Sequence, residues 1–131
     1  MNKTNTTHFA PQLYIKAGVT DISFYEKAFG AIEQMRFSND DGSIHVAELL
    51  IDGAIFHLHE ESVKKAQFSP QKINGTTVLI GLFVPDVDIV MTKAIAAGAT
   101  VVSPAQSYDY GYLQGEIKDP LGHIWMIEMK I

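Results

Sequence analysis

The chain has 131 residues, the size of one domain, with 47% hydrophobic and 19% charged residues, a globular balance that excludes a disordered chain. Its ten Lys and Arg are spread thinly under a formal charge of −5, which argues against nucleic acid as a partner. Cysteine is absent, which excludes disulfides, thiolate metal sites and cysteine nucleophiles and fits a reducing cytoplasm.

Residues 1–9 are polar, lack the apolar stretch of a signal peptide, and read as a frayed tail. No apolar run approaches the roughly 20 residues of a membrane span. Gln12 to Lys16 alternates like a half-buried strand. Thr20 or Asp21 is placed to cap a helix with Ile22, Phe24, Tyr25, Ala28 and Phe29 as its apolar stripe and Gly30 as its stop. Ala31 to Ser38 reads as a strand, and Asn39-Asp40-Asp41-Gly42 as a turn. Ser43 to Ile51 and Ala54 to Glu60 then form a hairpin about Asp52-Gly53. Residues 61–75 lack periodicity and read as a linker.

Thr76 to Val84 is a continuous apolar strand of the kind buried on both faces. Pro85-Asp86 opens a helix through Ala97, with Val87, Val90, Met91, Ala94 and Ile95 inward and Gly98 as its stop. Ala99 to Ser103 reads as a strand closed by Pro104. Tyr112 to Lys118 and His123 to Lys130 make the last hairpin across Asp119-Pro120-Leu121-Gly122. The second half thus repeats the first. Phe29-Gly30-Ala31 answers Ala97-Gly98-Ala99, and the segment from Gly53 to His59 answers that from Gly122 to Glu128.

On those residues, on Ile22 to Ala31, on Val84-Pro85-Asp86-Val87-Asp88 and above all on Asp119 to Trp125, the chain resembles the vicinal oxygen chelate superfamily. This is the glyoxalase/bleomycin-resistance/extradiol dioxygenase fold, and the phrasing is closest to its PhnB-like branch. The resemblance implies an α+β fold of two tandem βαβββ modules, with a curved, cleft-enclosing mixed sheet and helices outside. It assigns residues 10–131 to one domain, with modules at about 10–60 and 76–131 around the linker. It also implies a homodimer, which in the bleomycin-resistance relatives contributes the pocket walls.

Strand alternation sorts the faces. It sends Gln12, Tyr14, His57, His59, Leu79, Met126 and Glu128 to a cleft suited to a small molecule, and Trp125 to the core. Tyr108, Tyr110 and Tyr112 form an aromatic loop, with Tyr110 and Tyr112 as candidate ligand contacts; a packed loop or a dimer contact is the competing reading. His45 and Glu48 have opposite parity, so one of them reaches the cleft. His123 orients its turn or meets solvent.

Metal-dependent relatives place one His or Glu ligand on each of four strands. The matching positions here are Ala10, His57, Leu79 and Met126, of which only His57 is a good donor, so no cofactor is expected. A rearranged divalent-metal site of His57, His59 and Glu128 is the alternative. The sequence therefore leads to a metal-independent protein holding an apolar or aromatic ligand. Its rivals are a lyase, isomerase or dioxygenase with a non-family metal set or a His57/Glu128 acid–base pair, and a degenerate member whose cleft is filled by Leu79, Phe83 and Met126.

Overall fold

The computed structural model describes residues 5–131. Of the expected tail, residues 1–4 lie outside the described residues, while 5–9 are exposed and belong to no helix or strand. The first half runs β1 (Gln12–Ile15), α1 (Phe24–Phe29), β2 (Ile32–Ser38), β3 (Ile44–Ile51) and β4 (Ala54–Glu60). The second runs β5 (Leu79–Phe83), α3 (Val87–Ala96), β6 (Thr100–Tyr108), β7 (Tyr112–Lys118) and β8 (Ile124–Lys130). Each half is one four-stranded mixed sheet, in the orders β1-β4-β3-β2 and β5-β8-β7-β6. In each, the first strand runs parallel to the last and the remaining pairings are antiparallel. The duplicated βαβββ topology expected from the repeat is the one observed.

The chain reverses where its residues permit it. Gly30 takes the left-handed conformation (φ 69°) and its N–H caps the carbonyls of α1. Asp52 and Gly53 both have positive φ, the requirement of a tight two-residue hairpin turn. The α1 start differs from expectation: Ser23 is the N-cap, and Asp21 instead accepts from the Ser23 N–H at 2.9 Å. In α3, Asp86 does cap, accepting from the Ile89 N–H at 3.1 Å. Ile95 stays half exposed there, because the buried side is Val87, Met91 and Ala94.

One core serves both halves. Leu13, Ile15, Phe56 and Leu58 come from the first sheet, and Ile117, Trp125 and Ile127 from the second, all in one buried cluster with α1 and α3. Trp125 packs on Phe29 (ring centroids 4.8 Å), Phe56 (5.7 Å) and Tyr25 (6.0 Å). Aromatic pairs of this kind add about 0.5–1.5 kcal/mol each beyond the area they bury. His123 is buried rather than solvated, and its Nε2 donates to the Tyr14 carbonyl at 2.7 Å, tying the last turn to β1.

Three further expectations change. The linker contains a 3-10 turn (Val63–Lys65) and a short helix, α2 (Pro70–Ile73), whose Ser69 cap accepts from the Lys72 N–H. β6 passes through Pro104 with register shifts, because an edge strand has no outer partner awaiting the missing N–H. β5 is buried on one face only. Ile80 and Leu82 pack on the core while Leu79 (48%) and Phe83 (58%) are exposed, since no element among the described residues covers the outer face of that sheet.

Candidate functional site

Because the halves meet through the faces carrying Phe56 and Trp125, the intervening side chains turn away from the core. The first sheet presents Gln12, Tyr14, His57 and His59, as alternation placed them, together with Glu48, Val46, Met35 and Phe37 from β3 and β2. Glu48 is in register with His57, and Gln12 with His57 on the other side.

These residues form a continuous hydrogen-bonded network. The Gln12 amide donates through Nε2 to the Ala10 carbonyl (3.0 Å), which turns its Oε1 toward the rings. That oxygen accepts from His57 Nδ1 (3.0 Å) and from His59 Nε2 (2.5 Å). His57 Nε2 stands 3.0 Å from Glu48 Oε1. Gln12 Oε1 thus faces one nitrogen of each ring, while the other nitrogen of His57 stands against the Glu48 carboxylate. Burial, then the charge of His57 and of His45, lowers the His59 pKa, which favours its neutral form. The Tyr14 ring meets His59 edge-on at 6.2 Å. The face thus holds two imidazoles, an amide and a carboxylate, donor and acceptor groups fit to anchor a polar part of a ligand.

Glu48 is the member that sequence reasoning did not find. Parity separates His45 from Glu48, and only the β3–β4 register decides which stands beside His57. His45 pairs with Glu60 at 3.2 Å instead.

Met126 and Glu128 lie on the outer face of the second sheet, with Leu79, Phe83, Gln114 and Tyr112. Glu128 accepts from Gln114 Nε2 at 2.8 Å, and the Tyr110 hydroxyl donates to Gln114 Oε1 at 2.5 Å. Within this chain Glu128 therefore does not meet His57, whose carboxylate partner is Glu48. The family's cation does not fit the donors present. Leu79 and Met126 offer nothing suited to a hard ion, and among the described residues no three His, Asp or Glu side chains converge. The alternative set of His57, His59 and Glu128 is divided between the two sheets.

The sequence profile of the Glyoxalase/Bleomycin resistance protein/Dioxygenase superfamily matches residues 19–127, and the chain belongs to that superfamily. An uncharacterized protein of Mycobacterium tuberculosis (strain CDC 1551 / Oshkosh) is 35% identical over 121 residues, covering 90% of this chain and 71% of that protein. Among solved structures, a gene product of Arabidopsis thaliana is similar with a TM-score of 0.71 and 27% identity, over 95% of this chain and all (100%) of that one. TioX from Micromonospora sp. ML1 is similar with a TM-score of 0.65 and 25% identity, over 93% of this chain and 94% of that one.

Proposed function

We propose that this protein binds a small apolar or aromatic molecule without a resident metal ion, on the outward face where Gln12, His57, His59 and Glu48 form one network. The single observation carrying this reading is the Gln12 bridge, which holds both imidazoles in fixed orientation on a half-buried surface bordered by Tyr14 and Phe37. A pair of copies supplies the opposing wall. Ile32 and Phe37 on one face, and Leu79 and Phe83 on the other, are exposed apolar side chains that would border the space between the paired copies. The segment from Phe24 to Ala31 and the closing Asp119 to Trp125 support a place in the PhnB-like branch, and the lack of cysteine supports a cytoplasmic setting. Among the described residues no helix is long and apolar enough to cross a membrane.

A thermal-shift screen tests the reading, because a ligand that binds only the folded chain raises the melting temperature with its concentration. The expected result is stabilisation by a family of aromatic compounds. Silence across antibiotics, quinones and aromatic metabolites would count against it.

One observation favours a second reading, in which the same face performs acid–base chemistry. His57 Nε2 and Glu48 Oε1 are 3.0 Å apart, within reach of proton transfer. That reading requires a screened compound to be consumed, and His57→Ala to abolish its turnover with the fold intact.

A further inference from the structure

Two acidic side chains are buried among the described residues, Asp119 and Glu128. Asp119 is fully occupied, accepting from the Tyr25 hydroxyl, the Trp125 indole and the N–H groups of Leu121 and His123. Glu128 is different. It is 8% exposed, its Oε1 has one neutral donor in Gln114, and among the described residues it has no ion-pair partner. A carboxylate withdrawn from water ordinarily finds a positive or multiply donating partner.

The surroundings of Glu128 are built to admit it. A Cβ on Gly81 would lie 2.8 Å from Glu128 Oε2, and Gly81 does not have a positive φ. That glycine therefore serves space rather than backbone conformation, at the cost glycine carries inside a strand. Gly81 is itself exposed, so the ground beside the buried carboxylate is open. Aromatic rings border it. Phe83 is in register with Glu128 and meets Tyr112 at 6.1 Å; Tyr112 meets Tyr110 at 5.6 Å, and Tyr110 stacks on Tyr108 at 5.4 Å. The Tyr110–Gln114 bond holds the amide so that its N–H is aimed at Glu128 and its oxygen away. Of the other charged residues on this face, Glu116 adds a negative charge one row away, while Lys118 and Lys130 stand at opposite ends.

We propose that this face binds a small organic cation with an aromatic body, its ammonium against Glu128 over Gly81 and its ring against Phe83 and Tyr112. Carboxylate and ring faces together recognise such a group, since an ammonium is attracted both by charge and by the negative face of an aromatic ring. The proposal rests on the reading that the outward faces take small molecules, and it names the ligand class for the second of them. The Tyr110 pKa is raised, by desolvation first and then by Tyr108, Glu128 and Tyr112, so its hydroxyl keeps the proton it donates to Gln114.

The test is calorimetric titration of the full chain at near-neutral pH and low salt with benzyltrimethylammonium, and with benzyl alcohol and benzoate as its neutral and anionic counterparts. The cation should bind at least about tenfold more tightly than either counterpart, and Glu128→Gln should remove that preference. Phe83→Leu, at an exposed position, should weaken binding of the cation, and an unchanged cation affinity there would overturn the proposal, which keeps the test decisive if Glu128→Gln fails to fold. Equal or tighter binding of benzoate or benzyl alcohol would overturn the proposal, as would a cation affinity unchanged in Glu128→Gln. No binding of the cation at millimolar concentration would overturn it too. In each of these cases stabilisation by other compounds in the screen would leave the small-molecule reading standing, whereas silence in both experiments would remove both.

Discussion

The hydroxyl of Tyr25 donates a 2.6 Å hydrogen bond to the carboxylate of Asp119, 94 residues away, and so ties the helix of the first half to the closing turn of the second. The same carboxylate oxygen accepts from the Trp125 indole at 2.9 Å. The two halves are therefore joined by a buried polar node as well as by aromatic packing.

Tyr25→Phe removes one donor and leaves the ring in place, so it reports on the node alone. It should cost about 1–3 kcal/mol of unfolding free energy, because Asp119 Oδ2 keeps a single donor away from water. Burial first, then the Asp119 charge, raises the tyrosine pKa well above its ordinary value. A raised folded value means stability is fully present below the unfolded value near ~10 and is lost as pH rises above it. Denaturant titrations at neutral and alkaline pH measure both effects; a Phe variant as stable as the parent would contradict the first.

Gly122 carries φ +96° and sits against the linker, where a Cβ would lie 2.8 Å from the Cβ of Pro70. Gly122→Ala should thus destabilise the chain by about 1–3 kcal/mol through backbone strain and the clash together. Urea denaturation checks it, and a change within measurement error would show that α2 yields freely.

His59 gives the pH dependence of the candidate site. Its folded pKa is lowered, by burial first and then by His57 and His45. Below the unfolded value of about 6.5 the unfolded chain then binds more protons than the folded one, so stability falls as pH falls. The melting temperature should decline from about pH 7 to about pH 5, and His59→Gln should flatten that decline. An identical slope in the variant would remove His59 as its source.

The apolar side chains left open on the outward faces carry a prediction about assembly. Sedimentation should give a mass about twice the 14.5 kDa of the chain. The pair Phe37→Glu and Phe83→Glu should shift it to the monomer, since both side chains are exposed and neither supports the core. A monomeric parent protein would contradict the paired arrangement.

Much of this fold was legible in the sequence for local reasons. The Gly30 and Gly98 stops, the Asp52-Gly53 turn and the period-2 alternation that buries Phe56, Leu58, Trp125 and Ile127 each follow from short stretches. What escaped depends on neighbours distant in the chain. His123 is buried because its acceptor is the carbonyl of Tyr14, 109 residues earlier. Glu48 joins His57 through strand register, which parity alone leaves open. β5 reads as wholly apolar, yet its outer face is bare because nothing among the described residues lies over it. Of the candidate site, Gln12, His57 and His59 follow from alternation. That His57 pairs with Glu48 rather than Glu128 required the three-dimensional arrangement.

The most direct measurement is a spectrum of the ¹⁵N-labelled imidazole rings, followed while the most stabilising compound of the screen is added. His57 and His59 should shift together, with His8 and His45 unmoved, because one glutamine oxygen couples the first two rings. Stabilisation of the protein with the His57 and His59 signals unchanged would place its ligand elsewhere and contradict the assigned face.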